Sequence, residues 1–305
     1  MENLSMSQVP ENFSMTPEQM AQVQQQSQNP LQNYMRQPVI YIKLPSQGKF
    51  WIKGAVEMPI NGELPVLAMS TRDEIGLNTP DALMNGQAVV NMIHSCLPNI
   101  KNAWSIPALD LDTVLIAIRI ASYGEKMEYS SKCPHCENED NYEIDLRQFL
   151  ELEVNLDGYL EPLAYNDMQI YLRPSDYETI NMQNMEQFEQ QRLIAVIQDV
   201  DMSEEEKQRR FNEIFKIMTE YTVRNISNSI SKIVTPDGIT VDNVIHIKDF
   251  VENSERQLFE EVKKHVDEIN SGIPEKKVNI TCEACSKTYE TPFTFDQANF
   301  FVFAS

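Results

Sequence analysis

The sequence predicts an α+β protein in which a mostly helical domain is inserted into a mixed domain. Runs of β-branched and aromatic residues lie near both ends of the chain, from VIYIKL at residues 39–44 to KVNITC at residues 277–282. Between these ends, apolar residues recur at helical spacing over long stretches. Two C-x-x-C pairs, each set between β-forming runs, lie on either side of the helical part.

Length and charge limit the classes of function. The chain has 305 residues, enough for one to two domains with a sizeable core. Its formal net charge of −21 repels phosphates and anionic lipid surfaces, so binding to free nucleic acid is not expected. The longest apolar run, residues 114–121, is too short to span a bilayer, and MENLSMSQVP lacks the features of a signal peptide. We expect a protein made in a reducing cytoplasm and not inserted into a membrane.

Residues 1–38 differ in composition from the remainder. They are rich in Gln, Asn, Ser, Met and Pro and contain few branched apolar residues. Such a segment buries too little surface to offset the entropy of ordering it. We interpret residues 1–38 as an arm that is either disordered or ordered by docking on a partner, with a short helix after Thr16-Pro17.

Residues 39–150 are expected to form a mixed domain. The loop PSQGKFW contains Gly48-Lys49 but lacks the first glycine, the Ser/Thr and the helix of a phosphate-binding loop. Strands are predicted at residues 39–44, 55–58 and 65–70. Helices are predicted after a cap at Ser70, Thr71 or Asp73, after Pro80, over residues 86–96, and over residues 108–124, ending at Gly124.

Residues 151–272 are expected to form the inserted, mostly helical domain, and residues 273–305 to complete the mixed one. A strand at MQIYLRP stops at Pro174, and KIVTPDGITV at residues 232–241 predicts a hairpin. Helical spacing covers residues 175–198 and the stretches that follow two capping-box patterns, Ser203-x-x-Glu206 and Ser254-x-x-Gln257.

The first cysteine pair lies in SKCPHCENED. KMEYSS precedes Cys133 and NYEIDL follows Cys136, so the pair is placed on the turn of a hairpin. The pair is either half of a metal site or a complete redox dithiol. A CPHC thiol oxidoreductase needs its first cysteine at a helix N-terminus, and the acidic ENEDN that follows is a poor helix start. Cys96 and His94 are interpreted as a buried small residue and a surface or cap residue.

The second pair, Cys282 and Cys285, repeats this setting. Two such hairpin turns supply four thiolates, the tetrahedral arrangement preferred by structural Zn²⁺, and so form a zinc ribbon from two distant knuckles. Closing the intervening loop of about 145 residues costs on the order of 4 kcal/mol. Zinc binding, roughly 10–16 kcal/mol in small peptides, offsets that cost. We predict one structural Zn²⁺ per chain, with His135 exposed and not a ligand.

No catalytic or cofactor-binding residues stand out. The sequence offers no Ser-His-Asp arrangement, no H-E-x-x-H and no phosphate loop, so no small-molecule substrate is predicted. A zinc-ribbon protein associated with nucleic acid remains an alternative and requires basic residues clustered on the ribbon. Near the cysteines, however, carboxylates outnumber lysines. The lysines are Lys132, Lys276, Lys277 and Lys287, and the carboxylates are Glu137, Glu139, Asp140, Glu283 and Glu290.

The order of the motifs resembles that of the T4-like bacteriophage baseplate hub family. The resemblance covers residues 39–150 and 275–301. The matching elements are LPSQGKFW, a Gly-Glu strand at Gly62-Glu63, the segment from Met69 to Glu74, the helix at Leu83 to Gly86, and an apolar helix ending in Tyr123-Gly124 before the C-P-x-C knuckle.

The resemblance implies a function without enzymatic activity. A member of this family is a structural component of the virion, in the tail baseplate, or a factor that helps the hub assemble. Its implied partners are other phage baseplate or hub proteins, and its implied location is the virion after assembly in the bacterial host cytoplasm. The glutamine-rich arm and the acidic charge fit that context.

Overall fold

The computed structural model describes residue 31 and residues 34–79, 86–197, 203–294 and 300–301, without the side chains of residues 192–197 and 204. The chain divides into two units, Met1–Gln37 and Pro38–Ser305, and every element below belongs to the second. The helices predicted after Thr16-Pro17 and after Pro80 lie outside the described residues. Within the described ranges, no helix is both long and apolar enough to cross a membrane.

Pairs of short strands are separated by groups of helices along the described chain, an order typical of the α+β class. The strands are β1 Pro38–Lys43, β2 Glu63–Leu67, β3 Lys126–Lys132, β4 Glu139–Asp145, β5 Leu163–Tyr165, β6 Met168–Leu172, β7 Ile230–Val234, β8 Thr240–Val241, β9 Lys277–Thr281 and β10 Thr288–Pro292. The helices are α1 Thr71–Leu77, α2 Gln87–Cys96, α3 Ala108–Tyr123, α4 Asp157–Leu160, α5 Tyr177–Ile197, α6 Glu204–Ser229, α7 Val244–Asn253 and α8 Arg256–Ser271.

All strand pairing in the described residues is antiparallel. Three two-stranded sheets pair β1 with β2, β3 with β4, and β9 with β10, and one four-stranded sheet has the order β5-β6-β7-β8. The α+β class is therefore confirmed.

Two hydrophobic cores organise the second unit. The first joins β1 and β2 with α2 and α3, and buries residues of both cysteine-bearing hairpins, such as Ile144 on β4 and Ile280 on β9. The second packs the four-stranded sheet against α7 and α8, through residues such as Ile170, Ile247 and Val262. The first core therefore draws on both ends of the chain, and the second on its middle.

The long helix α3 lies in the first core because its surface is apolar on nearly all sides. Its sequence ALDLDTVLIAIRIASY is apolar on nearly all sides, and residues 113–120 are all buried. A helix that is hydrophobic all round needs neighbours on every face. It ends at Tyr123, one residue before the predicted end, and Gly124 follows as the C-cap with a positive φ of 90° that favours glycine.

Asp110, in the first turn of α3, holds the loop after β1. Its fully buried carboxylate accepts hydrogen bonds from Ser46 N–H (2.7 Å), Ser46 Oγ (2.5 Å) and Trp51 Nε1 (2.8 Å). The same loop carries Phe50, whose ring centroid lies 5.4 Å from that of Tyr159 in the second core. Asp110 thereby fixes a loop that contacts both cores.

Two local predictions are wrong. Residues 55–58 do not form a strand: only Val56 makes an isolated antiparallel bridge, to Ile100, inside a stretch of turns. Ser254 does not cap α8, because its hydroxyl bonds to the carbonyl of Phe250 and so closes α7, while Glu255 takes the N-cap position without a side-chain bond. By contrast, Ser203 caps α6 as predicted, accepting from Glu206 N–H at 3.3 Å.

Candidate metal centre

The first cysteine loop comprises residues 133–138, between β3 and β4. Lys132 and Glu139 form the last pair of the hairpin, so the six residues between them make the turn. Cys133 N–H donates to the carbonyl of Asn138 (2.8 Å), and Glu137 N–H donates to the carbonyl of Cys133 (2.9 Å). Glu137 has a left-handed φ of 58°. These bonds bend the chain so that a cysteine stands at each side of the turn.

The second cysteine loop, residues 282–287 between β9 and β10, has the same construction. Thr281 and Thr288 form the last strand pair. Cys282 N–H donates to the carbonyl of Lys287 (3.0 Å), and Ser286 N–H donates to the carbonyl of Cys282 (2.8 Å). Ser286 has a φ of 58°.

The two loops therefore match position by position. Each has six residues, with cysteines at the first and fourth and a left-handed residue at the fifth. In each, the first residue donates to the sixth and the fifth donates to the first. The predicted likeness of the two hairpins is confirmed, and their cysteines present sulfur atoms in equivalent ways.

The four sulfur atoms converge. Cys133 Sγ lies 3.8 Å from Cys285 Sγ, and Cys136 Sγ lies 3.6 Å from Cys282 Sγ. All four lie within 4.8 Å of one another. In a tetrahedron with metal–sulfur distances of about 2.3 Å, neighbouring sulfurs are about 3.8 Å apart. The group has the size that a metal ion with four thiolate ligands requires.

The group lies at the edge of the first core, with one open side. Cys133 and Cys282 are fully buried, Cys285 is half-buried and Cys136 is exposed. The buried pair belongs to the first core and therefore cannot move without disturbing it. Packing of the core therefore fixes the positions of two of the four cysteines.

Side chains hold the two hairpins together beside the sulfur atoms. Tyr289 Oη donates to Ser131 Oγ (3.1 Å), and Tyr129 Oη donates to the carbonyl of Pro292 (2.9 Å). The ring of Phe293 stacks on Phe149 with centroids 4.5 Å apart. Aromatic pairs of this kind add roughly 0.5–1.5 kcal/mol to simple burial. The hairpins are thus oriented by contacts that do not depend on an ion.

The thiols of Cys282 and Cys136 have pKa values shifted by their neighbours. A hydrogen bond from Cys285 N–H lowers the pKa of the Cys282 thiol to about 6, although burial opposes this change. At Cys136, a hydrogen bond from Asn138 N–H acts to lower the pKa, but burial and the other thiols outweigh it and raise the pKa to about 12. One thiolate in so close a group suppresses the ionisation of the next. A cation at the centre reverses that effect, because it stabilises every thiolate it touches.

The buried hydroxyl of Tyr142 lies near the sulfur group. Tyr142 Oη has no hydrogen-bond partner in the part of the chain that the structure describes. Burial, and next the charge of neighbouring Cys282, raise its pKa. A buried donor without a partner is costly unless an acceptor is supplied. A thiolate at Cys282 is such an acceptor, so the protonation state that a metal requires also suits this neighbour.

The geometry weighs against the two alternative interpretations of the cysteines. Cys133 lies between two strands and not at a helix N-terminus, the position that activates a redox cysteine. Three nearby lysines already face carboxylates: Lys132 to Glu137 at 3.5 Å, Lys277 to Glu275 at 3.5 Å, and Lys276 to Asp112 at 2.7 Å. The two cysteine-bearing hairpins therefore present little free positive charge to a nucleic acid.

The remaining residues singled out in the sequence lie apart from the sulfur group. His135 is exposed, and Cys96 is fully buried among apolar residues of α2, both as predicted. His94, expected at the surface or in a cap, is exposed at the end of α2 and accepts a hydrogen bond from Ala103 N–H (3.0 Å). It fixes the turn that follows and has no place near the cysteines.

Sequence reasoning missed the residues that support the cysteines. The sequence pattern places Tyr129 and Tyr289 only in β-forming runs. Their hydrogen bonds join segments that lie more than 150 residues apart in sequence. One signal was available. Both lie on the cysteine-bearing hairpins, where a polar tip on a half-buried ring usually finds a partner.

Comparison with known proteins identifies one family. A family model described as T4 bacteriophage base plate protein matches residues 38–302, most of the chain. No curated protein and no solved structure gives a significant match. The match includes both cysteine loops and both cores.

Proposed function

Because the chain belongs to the T4 bacteriophage base plate protein family, we propose that it is a non-enzymatic structural or assembly component of the hub region of a phage tail base plate. Its partners are then other base plate or hub proteins, and its location is the virion tail after assembly in the host cytoplasm. One structural Zn²⁺ per chain, held by the two cysteine loops, stabilises the fold.

The observation that carries the zinc proposal is the convergence of four sulfur atoms from two matched loops. A tetrahedral set of four thiolates suits zinc or an iron–sulfur centre among biological metals. Zinc fits a structural protein because it has no redox chemistry and binds tetrahedrally to four cysteines. Four protein ligands leave no open position for an activated water, which supports a structural rather than a catalytic role.

The proposed zinc ribbon also gives the domain arrangement a physical reason. We assign residues 39–150 and 273–305 to one mixed domain and residues 151–272 to the insertion. The ion would join the two ends of the mixed domain, at Cys133 and Cys136 on one side and Cys282 and Cys285 on the other. Support comes from the first core, which already contains residues of both hairpins.

The experiment for this proposal is made on tails. Mass spectrometry of purified virions, and of hub subassemblies isolated during infection, would detect the chain at a fixed ratio to the other base plate proteins. A structural component is present in both samples, and an assembly factor only in the subassemblies. Absence from both would overturn the proposal.

A further inference from the structure

The N-terminal strand β1 has an unprotected edge. Its sequence PVIYIK pairs with β2 on one side, and among the described residues no strand pairs with the other. Val39 is 56% exposed and Tyr41 60% exposed. Natural proteins usually protect such edges with charges or cover them, because free N–H and C=O groups recruit other strands. Here the central residues Val-Ile-Tyr-Ile carry no charge.

This edge faces a groove of about 780 Å³. Four consecutive residues of β1, Ile40–Lys43, line one wall. Consecutive strand residues point to opposite faces, so a wall made of all four is formed by the backbone edge and not by one face. Ile120 and Leu150 contribute apolar surface to the groove. The groove therefore offers unpaired backbone groups beside an apolar surface.

The same groove is also lined by an extended stretch that belongs to no sheet among the described residues. Residues 150–154 read Leu-Glu-Leu-Glu-Val, and their side chains alternate between half-buried and exposed. This is the alternation of an extended chain with one face inward. A slot between a free strand edge and an extended segment is the shape that one additional strand would fill.

The charges around the groove are mainly acidic. Lys43 pairs with Glu63 (3.8 Å) and Arg147 with Glu125 (3.1 Å), so these four charges offset one another. Glu151 and Glu153 are both exposed and have no ion-pair partner in the described part of the chain. Two uncompensated carboxylates therefore stand along the slot.

We propose that this groove binds one extended segment of another protein chain, which adds a strand to the free edge of β1. The segment alternates apolar residues, which face Ile120 and Leu150, with lysine or arginine residues, which meet Glu151 and Glu153. Backbone hydrogen bonds supply affinity, and the alternation supplies specificity. The proposal requires neither the metal ion nor a place in the base plate hub.

The test uses the full chain and an eight-residue peptide of alternating valine and lysine as the probe. Binding is measured by calorimetry, and hydrogen exchange of the amides in residues 38–43 is measured with and without peptide. Strand addition protects the outward amides of β1 and slows their exchange. A peptide of alternating valine and glutamate should not bind.

A matched pair of charge reversals separates local recognition from bulk attraction. Glu151→Lys with Glu153→Lys should weaken binding of the valine–lysine peptide about tenfold, because both changes lie on the slot. Glu205→Lys with Glu213→Lys changes the net charge equally on exposed positions of α6 and should leave binding within about twofold. Thermal melts of both variants should match that of the parent, because all four positions are exposed.

Three results would overturn the proposal. The first is equal weakening in both double variants, which means that the peptide follows overall charge. The second is peptide binding without any slowing of exchange in residues 38–43, which means that no strand is added. The third is concentration-dependent protection of the same amides without peptide, which means that a second copy of this chain occupies the edge.

Discussion

The two cores of the protein differ in how far apart in sequence their packed segments lie. The buried residues of the second core come from one continuous stretch of the chain. Within it, β6 and β7 flank α5 and α6 in sequence and pair directly, with Ile170 opposite Ile233. The first core must bring Ile144 beside residues such as Ile280, from hairpins separated by the whole second core. Cys133 and Cys282 are buried in the first core, Cys285 packs against it, and no cysteine belongs to the second.

A cross-link between distant segments is most stabilising in the core whose segments lie far apart in sequence. Loop-closure entropy grows with the logarithm of loop length, so joining the two hairpins costs on the order of 4 kcal/mol before any contact is made. The stacking of Phe293 on Phe149 and the hydrogen bond from Tyr289 to Ser131 offset part of this cost. The proposed metal ion, shared by the two loops, would add a stabilisation that the second core does not need.

The largest effect is expected from the cysteines. Cys133→Ser and Cys282→Ser each remove one ligand from the same ion, so both should lower the free energy of unfolding by more than about 4 kcal/mol. Thermal melts and hydrogen exchange should show the loss mainly in the first core. A chelator should reproduce it in the parent protein.

The control for these variants is Cys96→Ala. Cys96 is also fully buried in the first core but lies outside the sulfur group, so its loss should cost only the few contacts of a small side chain and keep the metal. A harmless Cys282→Ser beside a severe Cys133→Ser would show that the two loops act independently.

The next effect separates the cores directly. Ile118 and Ile170 are both fully buried, one in each core, so Ile118→Ala and Ile170→Ala should each cost about 2–5 kcal/mol. Ile118→Ala should speed metal release to a chelator, and Ile170→Ala should instead speed amide exchange in β6 and β7. If both variants change both readouts equally, the two cores unfold as one unit and the proposed domain boundaries are wrong.

A smaller effect is expected at Asp110, which holds the loop that touches both cores. Asp110→Ala leaves the donors of Ser46 and Trp51 without their acceptor, at a cost of about 1–3 kcal/mol. Urea unfolding should show this loss, and exchange should become faster in the loop that carries Phe50. An unchanged free energy of unfolding would mean that water replaces the carboxylate.

The pH dependence at Asp110 has a definite sign. Burial raises the pKa of its carboxyl in the folded protein, outweighing the hydrogen bonds from Ser46 and Trp51. A raised folded pKa gives a stabilising contribution that is complete below the unfolded pKa, about 4, and is lost as pH rises through the folded value. The free energy of unfolding relative to Asp110→Asn should therefore fall as pH rises over this window. Comparing the two proteins at each pH cancels the protonation of the cysteines.

Much of the first core could be predicted because its signals are local. The spacing of each cysteine pair and its β-forming flanks predicted two hairpins, and the equal form of the hairpins predicted convergence of the sulfurs. The left-handed residues Glu137 and Ser286 could not be predicted, because neither is glycine or asparagine and the cysteine loops impose their conformation.

The wrong predictions share a different cause. The pattern Ser254-x-x-Gln257 fits a helix start, but the same serine can close the preceding helix, and the sequence does not say which carbonyl or N–H lies nearer. The run at residues 55–58 has strand-forming residues but finds only Ile100 as a bridge partner. Both outcomes depend on tertiary neighbours that local propensity does not contain.

The smallest effect on stability is expected from the N-terminal arm. The chain divides at Gln37, so deletion of residues 1–36 should leave the melting temperature of the second unit nearly unchanged. Incorporation into tails or hub subassemblies should weaken, because the arm is predicted to dock on a partner. Normal incorporation of the truncated chain would leave the arm without a docking role, and a large loss of stability would make it part of a core.

The central claim is that one ion joins the two cysteine loops, and the metal content of the purified full-length chain tests it most directly. Native mass spectrometry with elemental analysis should find one zinc per chain, and the four cysteines of the sulfur group should resist alkylation until a chelator is added. The fifth cysteine, Cys96, is buried in the core and should stay unreactive as long as the chain is folded. Cys136→Ser and Cys285→Ser should each reduce the zinc content. A chain without metal whose four sulfur-group cysteines react without a chelator, or one with disulfides within each pair, would contradict the account.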